Sequence, residues 1–148
     1  MIIIASCPGE ILPKMPLPTH SEGGFGGLKP FVSVDETIAA IPRDAPNHDL
    51  NGALKRSFPP WDGSRILPRA ICSDGGQGNS HPSGKRDLTL REFASLQGFP
   101  LGHVFLAPYV KKQIGNAVPP CGAKVIFESI KEELDRADGI VEAPILIE

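Results

Sequence analysis

The chain has few of the features by which metal-binding, membrane and secreted proteins are identified from sequence. It contains only three cysteines in 148 residues, Cys7, Cys72 and Cys121. They lie far apart, so none has the close spacing of a zinc site, and the four histidines are equally scattered. The longest apolar run, Met1 to Ala5, is too short for a membrane span and lacks the basic start of a signal peptide. We therefore expect no metal site and no membrane segment.

A strong charge of one sign is also missing, since the formal net charge is −2. The whole chain is therefore not a basic nucleic-acid binder. The distribution is uneven, however: seven basic and three acidic residues lie between Lys55 and Arg91, and seven acidic and two basic ones between Glu128 and Glu148. A basic middle suits phosphate contacts, and a solvated loop with scattered charges would show the same pattern.

Glycine and proline, with sixteen residues each, are abundant and concentrate before residue 85. The first half should therefore be rich in loops, with a flexible one at Gly23 to Gly27. Short strands are predicted at Ile2 to Ser6 and, interrupted by a proline, at Arg65 to Cys72. The tail from Ile140 to Ile147 is predicted to be a strand or a frayed end.

Three helices are predicted from local signals. Ser33-Val34-Asp35-Glu36 and Thr89-Leu90-Arg91-Glu92 are capping boxes, in which a hydroxyl and a carboxylate satisfy each other's backbone amides. The first helix should stop before Pro42, and the second should end near Gln97, with Gly98 as the stop signal. Pro119-Pro120 can open a third helix that ends at Gly139. Its apolar stripe comprises Ala123, Phe127, Ile130, Leu134 and Ala137.

Two segments carry a specific resemblance. Arg86 to Pro100 has the sequence RDLTLREFASLQGFP, and Gln113 to Pro120 has the sequence QIGNAVPP. In this order and spacing they resemble motifs IX and X of the cytosine-5 DNA methyltransferases, and together they are far more specific than a lone glycine-rich triplet. The opening, Ile2 to Glu10, is similar to the strand after motif VIII in fungal-type members of that family.

This resemblance implies a fold class and a division of the chain. The expected fold is α/β, as a fragment of a Rossmann-like methyltransferase that uses S-adenosyl-L-methionine, with a loop-rich target-recognition lobe. Residues 1–7 would end a strand of the catalytic domain, and residues 8–80 would form the target-recognition region. Residues 81–148 would carry motifs IX and X back to the catalytic domain.

Motif IX supplies the first group of candidate residues, Arg86, Thr89, Arg91 and Glu92. Spacing alone allows either a capped helix with a surface ion pair or a buried arginine–glutamate pair that ties two lobes together. The resemblance implies an architectural role, in which this helix organises the target-recognition region against the catalytic domain.

Motif X supplies the second group. Gly115 to Val118 is predicted as a tight loop that enters a helix, where small residues allow close approach and helix amides can bind a carboxylate. A simple turn and helix cap would show the same sequence. The resemblance implies a pocket for S-adenosyl-L-methionine, with Asn116 and Val118 as contacts and with Gly115 and Ala117 shaping the loop.

Candidate DNA contacts lie in the basic middle of the chain. Small polar residues and bare backbone there suit close approach to a groove and its phosphates. Relatives often have a threonine-rich strand at this place, where the present chain has Pro68-Arg69-Ala70-Ile71-Cys72-Ser73. No base-specific contact is therefore assigned. The candidate contacts are Arg65, Arg69, Ser73 and Lys85.

Several elements of the family's chemistry are absent from the sequence. The family attacks cytosine C6 with a cysteine in a Pro-Cys motif and uses a Glu-Asn-Val motif and an F-x-G-x-G loop. Cys7-Pro8 has the dipeptide reversed, and Pro120-Cys121 lies in the first turn of the motif X helix, where the cysteine side chain should be packed. We therefore assign no catalytic residue and expect the chain alone to be inactive.

The resemblance leaves three interpretations open. The chain is a truncated product or incomplete gene model of a methyltransferase, a natural small subunit of a split enzyme, or a non-catalytic DNA-binding or interaction module. The first is favoured because Met1 begins in mid-strand without a linker. The expected partners are DNA and the portion carrying motifs I–VIII, from the same gene or a separate chain. The expected location is the nucleus in a eukaryote and the cytoplasm otherwise.

Overall fold

The computed structural model describes residues 2–67, 70–72, 79–106 and 108–140. These residues form four α-helices and one pair of very short strands. The elements are β1 (His20–Ser21), β2 (Lys29–Pro30), α1 (Val34–Ala39), α2 (Leu90–Leu96), α3 (Val110–Asn116) and α4 (Pro120–Ala137). A 3₁₀ segment, Glu22–Gly27, joins β1 to β2.

The first half is rich in loops, as predicted, and its two strands are parallel. The glycine segment between them was expected to be a flexible loop, but it forms a hydrogen-bonded turn. Gly23, Gly24, Gly26 and Gly27 all have positive φ, which glycine adopts without steric cost. Ser21 Oγ donates to the carbonyl of Phe25 at 3.2 Å, which closes the turn.

Both longer strands predicted in this half are wrong over the described residues. Ile2 to Ser6 belongs to no strand, and neither do residues 65–67 or 70–72; residues 68 and 69 lie outside the described part. An extended segment becomes a strand only when a neighbour completes its hydrogen bonds, and a short run of apolar residues does not supply that neighbour.

The two capping boxes are confirmed. In α1, Ser33 Oγ accepts from the amide of Glu36 at 3.2 Å, while the amide of Ser33 donates to the Glu36 carboxylate at 2.8 Å. In α2, Thr89 and Glu92 form the same reciprocal pair, at 3.1 and 2.7 Å. Gly98 follows α2 with φ of +82°, as expected for a C-terminal stop.

The second half holds one helix more than predicted. Helix α4 begins at Pro120 and ends before Gly139, as predicted. Helix α3 was not predicted, and it corrects the expected loop, because Gly115 and Asn116 are its last two residues. It follows Tyr109, whose φ is +64°. Val110 and Ile114, one turn apart, give α3 an apolar face that packs on the core.

The hydrophobic core lies around α2, between α1 and α3. Its buried members are Leu88, Phe93, Ala94, Phe105 and Ile114. Helix α4 contributes no buried residue, and Phe127 and Leu134 on its predicted stripe are 69% and 45% exposed. The only strand pair in the described ranges is β1 with β2, so the expected Rossmann-like sheet is not formed there. The architecture is a small mixed helix and strand structure.

Candidate functional site

A buried ion pair lies at the start of α2. Arg86 Nη1 and Nη2 each donate to one carboxylate oxygen of Glu92 at 2.7 Å, and Glu92 is 1% exposed. The amide of Thr89 donates to the same carboxylate. The structure therefore has the buried pair, and the alternative of a surface ion pair is wrong. Burial raises the pKa of Glu92, but the bonds from Arg86 and Thr89 outweigh burial and hold it below its ordinary value.

Arg91 does not join this pair, although it adjoins Glu92 in sequence. Its side chain is completely buried and donates to three backbone carbonyls: to that of Pro46 at 2.8 Å, to that of Pro100 at 3.0 Å and to that of His103. Burial lowers its pKa. A guanidinium has five donors and suits such a set of carbonyls. Arg91 thus joins the loop before residue 47 to the loop after α2.

Two further residues of this site, Asn47 and His48, were not predicted from the sequence. Asn47 adopts a left-handed conformation with φ of +62°, and its side-chain amide exchanges two hydrogen bonds with the backbone of Phe105, at 3.1 and 3.2 Å. His48 Nδ1 lies 2.8 Å from Thr89 Oγ1. Asparagine adopts the left-handed region more readily than most residues, which could have drawn attention to Asn47, but nothing local indicates partners more than 40 residues away.

The predicted cofactor loop, Gly115 to Val118, comprises the last two residues of α3 and the two residues that follow it. Asn116 and Val118 are exposed, Val118 to 65%, whereas Gly115 and Ala117 are half-buried. Gln97 Nε2 donates to the carbonyl of Ala117 at 2.8 Å, so the end of α2 contacts this loop. The start of α4 offers fewer amides than expected, because Pro119 and Pro120 have no N–H groups. Its first amides belong to Cys121 and Gly122.

The candidate DNA contacts are only partly described. The Arg65 side chain is 82% exposed and forms an ion pair with Asp62 at 3.2 Å. Lys85 is exposed, and its carbonyl accepts from the amide of Arg56. Arg69 and Ser73 lie outside the described residues, so their placement stays a prediction.

Cys121 lies in the first turn of α4, as predicted, but it is exposed rather than packed away. Its Sγ occupies the space beside Gly98, where an added Cβ would lie 2.6 Å from the sulfur. Within the described ranges, no group of three His, Cys, Asp or Glu residues is arranged to hold a metal ion. No helix there combines the length and apolar content that a membrane span needs.

Comparison with known proteins agrees with the resemblance. A sequence profile described as C-5 cytosine-specific DNA methylase matches residues 38–132. The chain is 31% identical to the type II methyltransferase M.NgoFVII of Neisseria gonorrhoeae, over 79% of this chain and 40% of that protein. It is 30% identical to the type II methyltransferase M.BbvI of Brevibacillus brevis, over 84% of this chain and 41% of that protein.

A third relative shares a shorter segment. The DNA (cytosine-5-)-methyltransferase M.ApeKI of Aeropyrum pernix is 44% identical over 45% of this chain and 14% of that protein. None of these three relatives is fungal, so the fungal-type refinement stays a prediction. No solved structure matches the chain.

The chain thus spans about two fifths of the first two relatives. The matched profile covers both motif segments and the loop that carries Asn47 and His48. These are the segments that the structure joins around α2. The chain therefore belongs to the C-5 cytosine-specific DNA methylase family.

Proposed function

We propose that this chain supplies the target-recognition and cofactor-closing part of a DNA cytosine-5 methyltransferase. The complete enzyme would transfer the methyl group of S-adenosyl-L-methionine to C5 of cytosine in DNA. The portion with motifs I–VIII, from the same gene or a separate chain, would supply the cysteine nucleophile. The observation that carries the proposal is the placement of α2, whose first turn holds the loop at Pro46 and whose end holds the loop at Ala117.

The motif X loop fits one wall of a cofactor site. Asn116 has an exposed side-chain amide, which can both donate and accept, and it forms no side-chain hydrogen bond within the described residues. Val118 adds an exposed apolar side chain beside it. Gly115 and Ala117 leave the surrounding backbone open to close approach. When bound, S-adenosyl-L-methionine would supply the methyl group, and these residues would bind and orient it.

The proposed recognition region, residues 8–80, and Lys85 just beyond it would meet DNA through their basic residues. Arg65 and Lys85 have exposed side chains, and Lys85 has no carboxylate within ion-pair distance among the described residues. Lysine and arginine at such positions neutralise phosphates and release counterions. Arg69 and Ser73 complete the proposed set.

DNA binding tests one half of this proposal. Binding of a fluorescent duplex to the chain should weaken steeply as salt rises. Lys85→Ala should weaken binding and reduce the salt slope by about one counterion. Lys124→Ala, which removes another exposed lysine, on α4, is the matched control and should leave the slope unchanged. Salt-independent binding, or none, would contradict the proposal.

Cofactor binding tests the other half and separates the proposal from its alternatives. The chain is mixed with the part of the Neisseria relative that it does not match, and binding of radiolabelled S-adenosyl-L-methionine is measured by equilibrium dialysis. We expect the mixture to bind more tightly than either part, and Asn116→Ala to reduce that gain. DNA binding without any such gain would instead favour a non-catalytic DNA-binding module.

A further inference from the structure

The residue that connects the end of α2 with the motif X loop is Gln97. It is the C-cap of α2 and is half-buried. Its Nε2 donates to the carbonyl of Ala117 at 2.8 Å, across 20 residues of sequence. That carbonyl belongs to the peptide that joins Ala117 to Val118. Because a peptide unit is planar, fixing the direction of its oxygen also fixes the direction of the Val118 amide.

Few other restraints act on this peptide. The amide of Ala117 donates to the carbonyl of Ile114 at 3.2 Å, which continues the last turn of α3. Among the described residues, Gln97 has the only side chain that donates to the backbone of Ala117 or Val118. Rotation of the peptide would therefore be opposed mainly by this one bond, and the Asn116 and Val118 side chains on either side of Ala117 are exposed.

A second contact at this end of α2 involves the start of α4 rather than the Ala117–Val118 peptide. Gly98 has φ of +82°, and Cys121 Sγ fills the space where a side chain would begin. The start of α4 is thus held against the same end of α2 that carries Gln97. At its other end, α2 is held by Arg91 to the carbonyl of Pro46. One seven-residue helix therefore sets the position of both loops.

We infer that Gln97 is a positioning residue for the cofactor: its side chain holds the Ala117–Val118 peptide so that Asn116 and Val118 face the ligand. This role rests on the proposed function, because it takes those two residues as contacts of S-adenosyl-L-methionine. Gln97 itself does not touch the cofactor. It acts by keeping the loop in one conformation before the ligand binds, which lowers the entropic cost of binding.

The test uses two substitutions and a matched control. Gln97→Ala removes the side chain, and Gln97→Glu keeps its length but removes the donor. Ser129→Ala is the control, because Ser129 Oγ also makes one bond to a distant carbonyl, that of Lys14 at 3.2 Å. Hydrogen exchange of the chain without cofactor should become several-fold faster at the Ala117 amide, which donates to the carbonyl of Ile114, in both Gln97 variants. Exchange in α1 should not change, nor should it in the control.

The affinity for S-adenosyl-L-methionine then distinguishes a positioning role of Gln97 from a general loss of stability of the chain. In the mixture with the part of the Neisseria relative that this chain does not match, both Gln97 variants should bind S-adenosyl-L-methionine about fivefold more weakly, the effect of one hydrogen bond. DNA affinity should stay as in the unmodified chain, and the melting temperature should fall by no more than the loss of one hydrogen bond explains. Unchanged cofactor affinity, or exchange that rises throughout the chain with a larger fall in melting temperature, would overturn the inference.

The outcomes distinguish this inference from the function on which it rests. If the unmodified mixture binds cofactor and the Gln97 variants bind equally well, the positioning role is wrong and the proposed function stands. If the unmodified mixture binds no cofactor, the proposed function fails and the positioning role fails with it.

Discussion

At the scale of single residues, the buried pair of Arg86 and Glu92 should be costly to break. Removing one partner of a buried pair costs about 3 kcal/mol, because the other charge stays buried without compensation. We therefore expect Glu92→Gln to lower the free energy of unfolding by roughly that amount in urea titrations. Glu128→Gln breaks the exposed pair with Lys124, at 3.6 Å, and should cost less than about 0.5 kcal/mol. Equal costs for the two variants would contradict this account.

The dependence of stability on pH follows from two residues of the same region. Burial and the charge of Arg86 lower the pKa of His81, partly opposed by Glu92 and Asp35, and the pKa of Glu92 is also lowered. In both cases the unfolded state binds protons more readily, so stability should fall as pH falls. The loss due to His81 begins below about pH 6.5, and that due to Glu92 below about pH 4.3.

Urea titrations across this pH range check the assignment. His81→Gln should remove the first decrease in unfolding free energy, and Glu92→Gln the second. Stability that rises on acidification between about pH 6.5 and 5 would contradict the account.

At this scale the sequence identified the residues with a structural role, but it did not identify the partners that they contact. Arg86, Thr89, Arg91 and Glu92 were all predicted to be structural, and all are buried or half-buried around the start of α2. Glu92 pairs with Arg86 rather than with Arg91 because of the direction in which the chain approaches α2. The spacing of these residues in the sequence does not determine that direction. The carbonyl partners of Arg91 lie on two separate loops, and any residue type can supply a backbone carbonyl.

At the scale of elements, the contact between α2 and α4 depends on Gly98. An alanine there would be strained at φ of +82°, and its Cβ would lie 2.6 Å from Cys121 Sγ. We expect Gly98→Ala to lower the free energy of unfolding by about 2 kcal/mol or more, measured by thermal or urea unfolding. Gly102→Ala is the control, because nothing lies within 4 Å of its added Cβ. An unchanged free energy of unfolding in Gly98→Ala would show that α2 and α4 do not contact each other in this way.

Elements were predictable where a local chemical signal marks their ends. The capping boxes at Ser33 and Thr89 and the proline pair before α4 are such signals, and all three helices form there. Helix α3 has no capping side chain, follows a left-handed tyrosine and contains Gly115, so only its packing against α2 accounts for it. The strand predictions were wrong for the opposite reason, since the hydrogen bonds of a strand come from residues distant in sequence.

At the scale of the whole molecule, α4 presents an exposed apolar surface. The exposed fractions are 69% for Phe127 and 45% for Leu134, which lie two turns apart on one face of the helix. Without a partner over this surface, we expect the isolated chain to self-associate. Sedimentation velocity should show oligomers that Phe127→Ser reduces, whereas Lys124→Ser, on the same helix, should have no such effect. A stable monomer at all concentrations would contradict this expectation.

The central claim, that the chain completes a cytosine-5 methyltransferase, is tested most directly by methyl transfer. The assay uses tritiated S-adenosyl-L-methionine and duplex DNA with the chain alone, with the part of the Neisseria relative that this chain does not match, and with the two together. We predict label in cytosine only with the mixture, and a large loss of label with Asn116→Ala. Label transferred by the chain alone, or no label from the mixture while salt-sensitive DNA binding persists, would contradict the claim.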